Sequence, residues 1–155
     1  MTYEQLKLEN QLCFPVYAAS RLIIREYQPH LEQLGITYPQ YLVLMLLWET
    51  DGRTVNEIAR RLILNTNTVT PILKRMESQG LIARRRSEAD ERRVIITLTP
   101  KGVQLREEAA RIPQRLVEGL VTEEMNLEDL RQLKEQLDVM IRFLIEKSGV
   151  EAGDG

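Results

Sequence analysis

The 155-residue sequence predicts a mainly α-helical fold with one small β-hairpin. Three observations carry that prediction. Apolar residues recur at steps of three and four over most of the chain, the spacing of amphipathic helices. Period-two alternation occurs near the middle, where Val94, Ile96 and Leu98 interleave with residues of the other face. Capping pairs, glycines and prolines divide the helical segments from one another.

Residues 4–34 read as a first long helix, with Leu8, Leu12, Val16, Ala19, Ile23, Tyr27, Leu31 and Leu34 on one stripe. Pro15 and Pro29 each remove a backbone donor, so a kink or break is expected at both. The stripe, with Cys13, Tyr17, Ser20 and Ile24 beside it, is wider than a small domain covers, so part of it is expected to face a partner. Gly35 ends the helix. Thr37 and Gln40 form a capping box for the next one, Pro39 to Glu49, which is apolar nearly all round and belongs at the centre of the core. After the Asp51-Gly52 turn, Thr54 and Glu57 form a second capping box, and Val55, Ile58, Ala59 and Leu62 point inward.

Asn65 is placed to cap a further helix. Pro71 leaves two readings: an early start with local distortion, or a start near Thr70 with Pro71 in the first turn. The early start is favoured. Ile72, Leu73 and Met76 face the core, and Gly80 closes the helix. Leu81–Arg86 and Arg92–Leu98 then form the hairpin, with a polar tip between them. A helix starts at Thr99-Pro100 and runs to about Ile112, where Pro113 intervenes. Asn126 and Asp129 cap a last helix carrying Leu127, Leu130, Leu133, Leu137, Ile141 and Leu144. The whole is expected to be one domain over residues 1–146. A winged helix-turn-helix spans about 37–99, flanking helices span about 4–34 and 100–146, and a disordered tail covers 147–155.

Composition narrows the function classes. The chain is 43% hydrophobic and 28% charged, which suits a packed core. The longest apolar run, Tyr41 to Trp48, is eight residues, far short of the roughly 20 a membrane-spanning helix needs. The N-terminus is polar and mixed in charge, and shows no secretory signal. Cys13 is the single cysteine, so an intrachain disulfide is impossible and a reducing, cytoplasmic setting is expected. His30 is the single histidine, which argues against a histidine-based metal cluster or a Ser/His triad and suits a surface residue. Neither a metal nor a cofactor is expected, and the chain does not read as an enzyme.

Charge is segregated. The net charge is −2, yet residues 53–93 hold ten Lys/Arg against five acids, so this segment carries +5 and the remainder −7. That is the footprint of a face that meets phosphates. In a helix-turn-helix the N-terminal residues of the second helix enter the major groove. Here those are Thr66, Asn67, Thr68 and Thr70, with Lys74 and Arg75 one turn on and suited to phosphates. Arg84, Arg85, Arg86, Arg92 and Arg93 lie in the hairpin, where a guanidinium can enter a narrow A·T-rich minor groove. The competing reading is a polar helix start beside a solvated hairpin. A helix pair, short turn and basic wing within one block favour duplex DNA.

Residues 54–99 resemble the winged helix-turn-helix of MarR-type bacterial transcription regulators, and the resemblance extends over roughly residues 4–146. The segment SEADERRVIITLTPKG carries it best: Asp90 and Arg92 form that family's Asp-x-Arg pair, ahead of a strand ending in Leu98-Thr99. The resemblance implies that Asp90 shapes the wing tip, that Arg92 probes the minor groove, and that the terminal helices interlock into a homodimer on a pseudo-palindromic operator.

The stretches LENQLCFPVYAASR and ITYPQYLVLMLLWE further resemble the organic-hydroperoxide-sensing OhrR-like subgroup, the one-cysteine type. What this implies is a reactive Cys13 whose thiolate accepts hydrogen bonds from Tyr27 and Tyr38 of the other subunit, with Tyr17 a further neighbour. Spacing agrees with the cross-subunit part: Cys13 and Tyr27 are 14 residues apart, roughly 21 Å on a helix. Phenol donors favour the thiolate. Organic hydroperoxide would convert it to a sulfenic acid that a small thiol caps, a backbone nitrogen traps, or further oxidant consumes. The family pattern places an ordinary helix former where Pro15 stands. Against this, Cys13 read alone is a buried small hydrophobe, and Tyr27 and Tyr38 are interface aromatics. Three other functions remain in view: a MarR-type regulator released by a small phenolic ligand between dimer and DNA-binding helices, a thiol peroxidase, and a helical interaction module.

Overall fold

The computed structural model describes residues 1–149. Two short 3-10 turns, Glu4–Leu6 and Leu8–Asn10, precede seven α-helices and three strands among the described residues. In chain order these are α1 (Cys13–Leu34), α2 (Tyr38–Glu49), β1 (Arg53–Thr54), α3 (Val55–Leu62), α4 (Thr66–Ser78), β2 (Ile82–Arg86), β3 (Val94–Leu98), α5 (Pro100–Ala109), α6 (Ile112–Leu120) and α7 (Leu127–Ser148).

The first helix starts nine residues later than the sequence suggests, at Cys13 rather than residue 4. Pro15 therefore stands in the first turn, where its missing donor costs nothing, and no kink is needed there. The chain before it is held by side chains: Asn10 Nδ2 donates to the Glu4 carbonyl at 2.7 Å and Gln11 Nε2 to the Gln5 carbonyl at 2.8 Å. Pro29 does lie inside α1. Gly35 closes it at φ 69°, and its N–H reaches the Glu32 carbonyl at 3.0 Å.

Helix α2 is the core. Val43 and Leu44 are fully buried, and Leu47 nearly so. They meet Ile58 of α3, Val69, Leu73 and Met76 of α4, Ile82 and Ile96 of the sheet, and Leu105 and Ala109 of α5. The end of α1 joins this cluster through Leu31 and α6 through Ile112, so the helix pair and its flanks share one interior. The capping boxes form as the sequence suggests at Thr37/Gln40, Thr54/Glu57 and Asn126/Asp129.

The sheet has three antiparallel strands in the order β1-β3-β2, not a hairpin alone. Arg53 pairs with Ile96 and Thr54 with Ile95. Two residues are too few to show alternation, so β1 was not legible. Asp51 ties this edge down: its Oδ1 accepts the Gly52 and Leu98 backbone N–H groups, both at 2.9 Å. Strand β3 starts at Val94 rather than Arg92, because the tip uses the two preceding amides. Arg92 N–H donates to Asp90 Oδ1 and Arg93 N–H to the Asp90 carbonyl.

Pro113 starts a helix instead of ending one. Helix α5 stops at Ala109, and α6 follows with Pro113 in its first turn. Helix α7 extends to Ser148 with Gly149 as its cap, so it enters the stretch expected to be a disordered tail. The remainder of that stretch, 150–155, lies outside the described residues.

Gly102 sets how closely α5 approaches the sheet. A Cβ there would overlap the Leu81 carbonyl oxygen, while the Gly102 carbonyl accepts the Trp48 indole N–H at 2.9 Å. Gly102→Ala is expected to destabilise the fold by about 1–3 kcal/mol, the range for forced overpacking. Denaturant melts followed by Trp48 fluorescence measure this.

Candidate nucleic-acid interface and thiol site

Helix α4 presents its N-terminal turn to solvent. Asn65 caps it, with Oδ1 accepting the Thr68 N–H at 2.9 Å and the Thr68 hydroxyl at 3.1 Å. The helix starts early, as favoured, and Pro71 lies inside it. Pro71 has no N–H to give the Asn67 carbonyl, so one helical bond is missing in this turn. Thr66, Asn67 and Thr68 are exposed and Thr70 is half-buried. Lys74 and Arg75 are exposed one turn on. Val69, Leu73 and Met76 hold the opposite side of the helix in the core. The connection from α3 passes through Ile63 at φ 56°, a left-handed conformation that a β-branched side chain rarely adopts.

The wing is organised by Asp90. Its Oδ1 accepts the backbone N–H of Arg92 at 3.1 Å and the Arg92 Nε–H at 3.2 Å. Arg93 Nε lies 3.9 Å from Oδ2. These donors, the Arg92 backbone N–H first and its guanidinium second, hold the Asp90 carboxyl below its usual range. The Arg92 side chain remains 91% exposed despite its ion pair. Arg85, Arg86 and Arg93 are also exposed. Arg84 differs: its backbone N–H and Nε both donate to Glu77 of α4, at 3.2 and 3.4 Å. That residue joins wing to helix rather than projecting. Glu77 escaped the sequence reading, although an acid near the end of a basic helix was a visible signal.

Cys13 is exposed in the chain by itself, so the reading as a buried small hydrophobe does not hold for the isolated chain. It occupies the first position of α1. Tyr17, one turn on, is exposed, and the Arg21 guanidinium lies over its ring at 4.6 Å. Tyr27 lies far along the same helix, so a single chain does not bring it to Cys13. It meets Tyr38 instead, with ring centroids 4.9 Å apart, and both lie against Tyr41. Tyr41 was missed. It stands three residues after Tyr38 on one helix, which places both on one face.

Burial, with the neighbouring Tyr38 and Tyr41 adding to it, raises the Tyr27 phenol to about 12. Burial raises Tyr38, and burial with Tyr38 beside it raises Tyr41. Tyr27 therefore remains a hydrogen-bond donor across the physiological range. Its folded pKa exceeds its unfolded one, so its stabilising contribution is complete below pH 10 and is lost as pH rises through about 12. Alkaline melting of the wild type is expected to steepen in that window, and Tyr27→Phe to remove part of the loss. Melting temperature against pH, with tyrosinate absorbance in parallel, measures it.

Much apolar surface remains open. Phe14, Val16, Leu22 and Ile24 of α1 are exposed, and α7 has no buried residue although Leu133, Val139, Ile141, Phe143 and Leu144 line it. Helices in proteins gain most of their stability by burying such a stripe. No helix among the described residues is long and apolar enough to cross a membrane.

An exposed helix start backed by the core, a basic wing fixed by an aspartate, and long helices with unburied apolar stripes define a winged helix-turn-helix regulator. The family model for the transcriptional regulator SarA/Rot matches residues 25–109. The organic hydroperoxide resistance transcriptional regulator of Bacillus subtilis (strain 168) is 49% identical over 146 residues, covering 94% of this chain and 97% of that protein. The reduced AbfR–DNA complex is 42% identical with a TM-score of 0.75, covering 94% of this chain and 99% of that one. AbfR is a Staphylococcus epidermidis protein, and its overoxidized form bound to DNA and its disulfide form are also solved. The Staphylococcus aureus MepR–DNA complex is 30% identical with a TM-score of 0.75, covering 85% of this chain and 97% of that one. The chain belongs to the MarR-type winged helix-turn-helix transcriptional regulators, within the OhrR-like group.

Proposed function

We propose that this chain is a homodimeric, cytoplasmic repressor that leaves a pseudo-palindromic operator when organic hydroperoxide oxidises Cys13. The observation that carries the reading is the separation of Cys13 from the tyrosines. Cys13 opens α1, Tyr27 lies 14 residues further along that helix, and Tyr38, the first residue of α2, packs against Tyr27. An antiparallel second copy brings one chain's Cys13 to the other chain's pair, and it also covers the open stripes of α1 and α7. Residues 1–146 act as one domain, with the reader over about 37–99 and dimerising helices on either side.

In the reduced state Thr66, Asn67, Thr68 and Thr70 address base edges, and Lys74 and Arg75 address phosphates. Arg92, aimed by Asp90, enters the minor groove, with Arg85, Arg86 and Arg93 supplying charge around it and Arg84 holding the wing to α4. Two such readers, related by a two-fold axis, engage half-sites about 34 Å apart.

The chemical step is a displacement. The Cys13 thiolate attacks the terminal peroxide oxygen, an S–O bond forms and the O–O bond breaks. Sulfur is oxidised by two electrons, and the alkoxide leaves as alcohol on taking up a proton. Tyr27 and Tyr38, protonated throughout, donate hydrogen bonds to the reacting sulfur and oxygens. A low-molecular-weight thiol then attacks the sulfenic acid and water leaves, giving a mixed disulfide. AbfR has been solved on DNA in an overoxidized form. We accordingly assign release to the bulk of the cap in a packed interface rather than to the added oxygen. Cys13 reacts once per event, so the chain is a stoichiometric sensor, not a turnover enzyme.

The test begins with a duplex selected by the protein from a random library. Two chains should bind per duplex, with affinity falling steeply as salt rises. Cumene hydroperoxide with excess cysteine should then dissociate the complex. A flat salt response, or a complex that survives full modification of Cys13, contradicts the reading.

A further inference from the structure

Gln40 is a polar side chain within the core, 2% exposed. Both polar atoms of its amide are engaged. Oε1 accepts the Thr37 N–H at 3.1 Å, and Nε2 donates to Gln79 Oε1 at 3.1 Å. Gln79 caps the C-terminal end of α4. Its Nε2 donates in turn to the Gly35 carbonyl at 3.4 Å, and its carbonyl accepts Lys101 Nζ at 2.9 Å. One residue thus ties the end of the reading helix to the α1–α2 corner and to the start of α5. The same corner carries the tyrosines: Tyr38 opens α2 two positions before Gln40 and meets Tyr27 of α1.

We infer that the Gln40–Gln79 carboxamide pair transmits the state of the tyrosine cluster to the reading helix. The inference rests on the reading above, in which modified Cys13 of one subunit presses on Tyr27 and Tyr38 of the other. Pushing Tyr38 turns the first turn of α2, and Gln40 stands on that turn. Apolar contacts between α2 and α4 can slide over small displacements. The amide bond is directional, and its parting leaves the buried Gln40 Nε2 without this acceptor, so Gln79 follows Gln40. Helix α4 then tilts about its C-terminal end, and its N-terminal turn leaves register with the groove.

The test replaces both partners with an apolar pair of similar shape, which removes the link together with the Thr37 and Gly35 bonds, so melting temperature is followed beside binding. Gln40→Met/Gln79→Met is compared with wild type on the selected duplex, reduced and after cumene hydroperoxide with cysteine. Intact mass establishes that Cys13 is fully modified in each. The reduced double variant is expected to bind within about threefold of wild type, while its oxidised-to-reduced ratio of dissociation constants falls at least about tenfold below the wild-type ratio. Gln79→Met alone should show the same fall, which keeps the test available if the double variant does not fold. A wild-type ratio in a fully modified variant overturns the inference. So does loss of reduced-state binding in a variant that melts normally, since the pair is then only structural. If wild type itself stays on DNA with Cys13 modified, the sensor reading fails first and the inference with it.

Discussion

Cys13→Ser is expected to bind the operator as reduced wild type does and to remain bound in organic hydroperoxide that releases wild type. A serine hydroxyl does not attack a peroxide oxygen, so the sulfenic acid and its thiol cap cannot form. The substitution is otherwise mild. The position is exposed in the single chain and lies at a helix start, where serine is well tolerated. Wild type should lose at least about tenfold in affinity, equivalent to about 1.4 kcal/mol of coupling between thiol and DNA. The variant should lose none. Anisotropy with a labelled duplex measures both. Peroxide-driven release in Cys13→Ser would exclude the thiol as sensor and favour the small-ligand alternative, in which a phenolic compound between dimer and reader does the work.

The second large effect belongs to the wing. Arg92→Ala is expected to weaken operator binding by about 1–3 kcal/mol per wing, and a dimer carries two wings. Folding should be nearly unaffected. The Arg92 side chain is almost fully exposed, and its backbone N–H, the larger influence on Asp90, survives the substitution. The loss should be greatest on A·T-rich sequence at the contacted step and smaller on unrelated duplex, where phosphate contacts dominate. Asp90→Ala should also weaken binding but disturb the tip, because Arg92 and Arg93 both turn on that residue. Melting temperature beside anisotropy separates the two. Equal losses on all duplexes for Arg92→Ala would make it a phosphate contact rather than a groove probe.

Much of this is legible in the sequence alone. Thr37, Thr54, Asn65 and Asn126 announce helix starts because a short side-chain acceptor followed by open amides has few other uses, and all four cap as read. Prolines misled. Pro15 and Pro113 were read as interruptions, whereas both sit in first turns, where a missing donor is harmless. That error hid α6 and lengthened α1 toward the N-terminus.

At the site, the Asp90–Arg92 pair was visible because its partners are two residues apart. The tyrosine cluster was visible only in part. Tyr27 and Tyr38 came from resemblance, while their contact depends on the turn at Gly35, which brings the start of α2 against α1. The Gln40–Gln79 link was invisible. Its members are 39 residues apart, and each has a local role of its own, Gln40 in a capping box and Gln79 at a helix end.

The central claim is that the chemical state of Cys13 sets whether Thr66 to Thr70 and Arg92 remain on DNA. Its most direct test follows one sample in two ways while cumene hydroperoxide and cysteine are titrated into the protein–duplex complex. Anisotropy reports bound DNA, and intact mass reports the fraction of chains carrying the cysteine cap. The expected result is release that rises with the capped fraction and reverses when a dithiol reductant removes the cap. Full capping with the duplex still bound, or release from chains whose mass is unchanged, would contradict the claim.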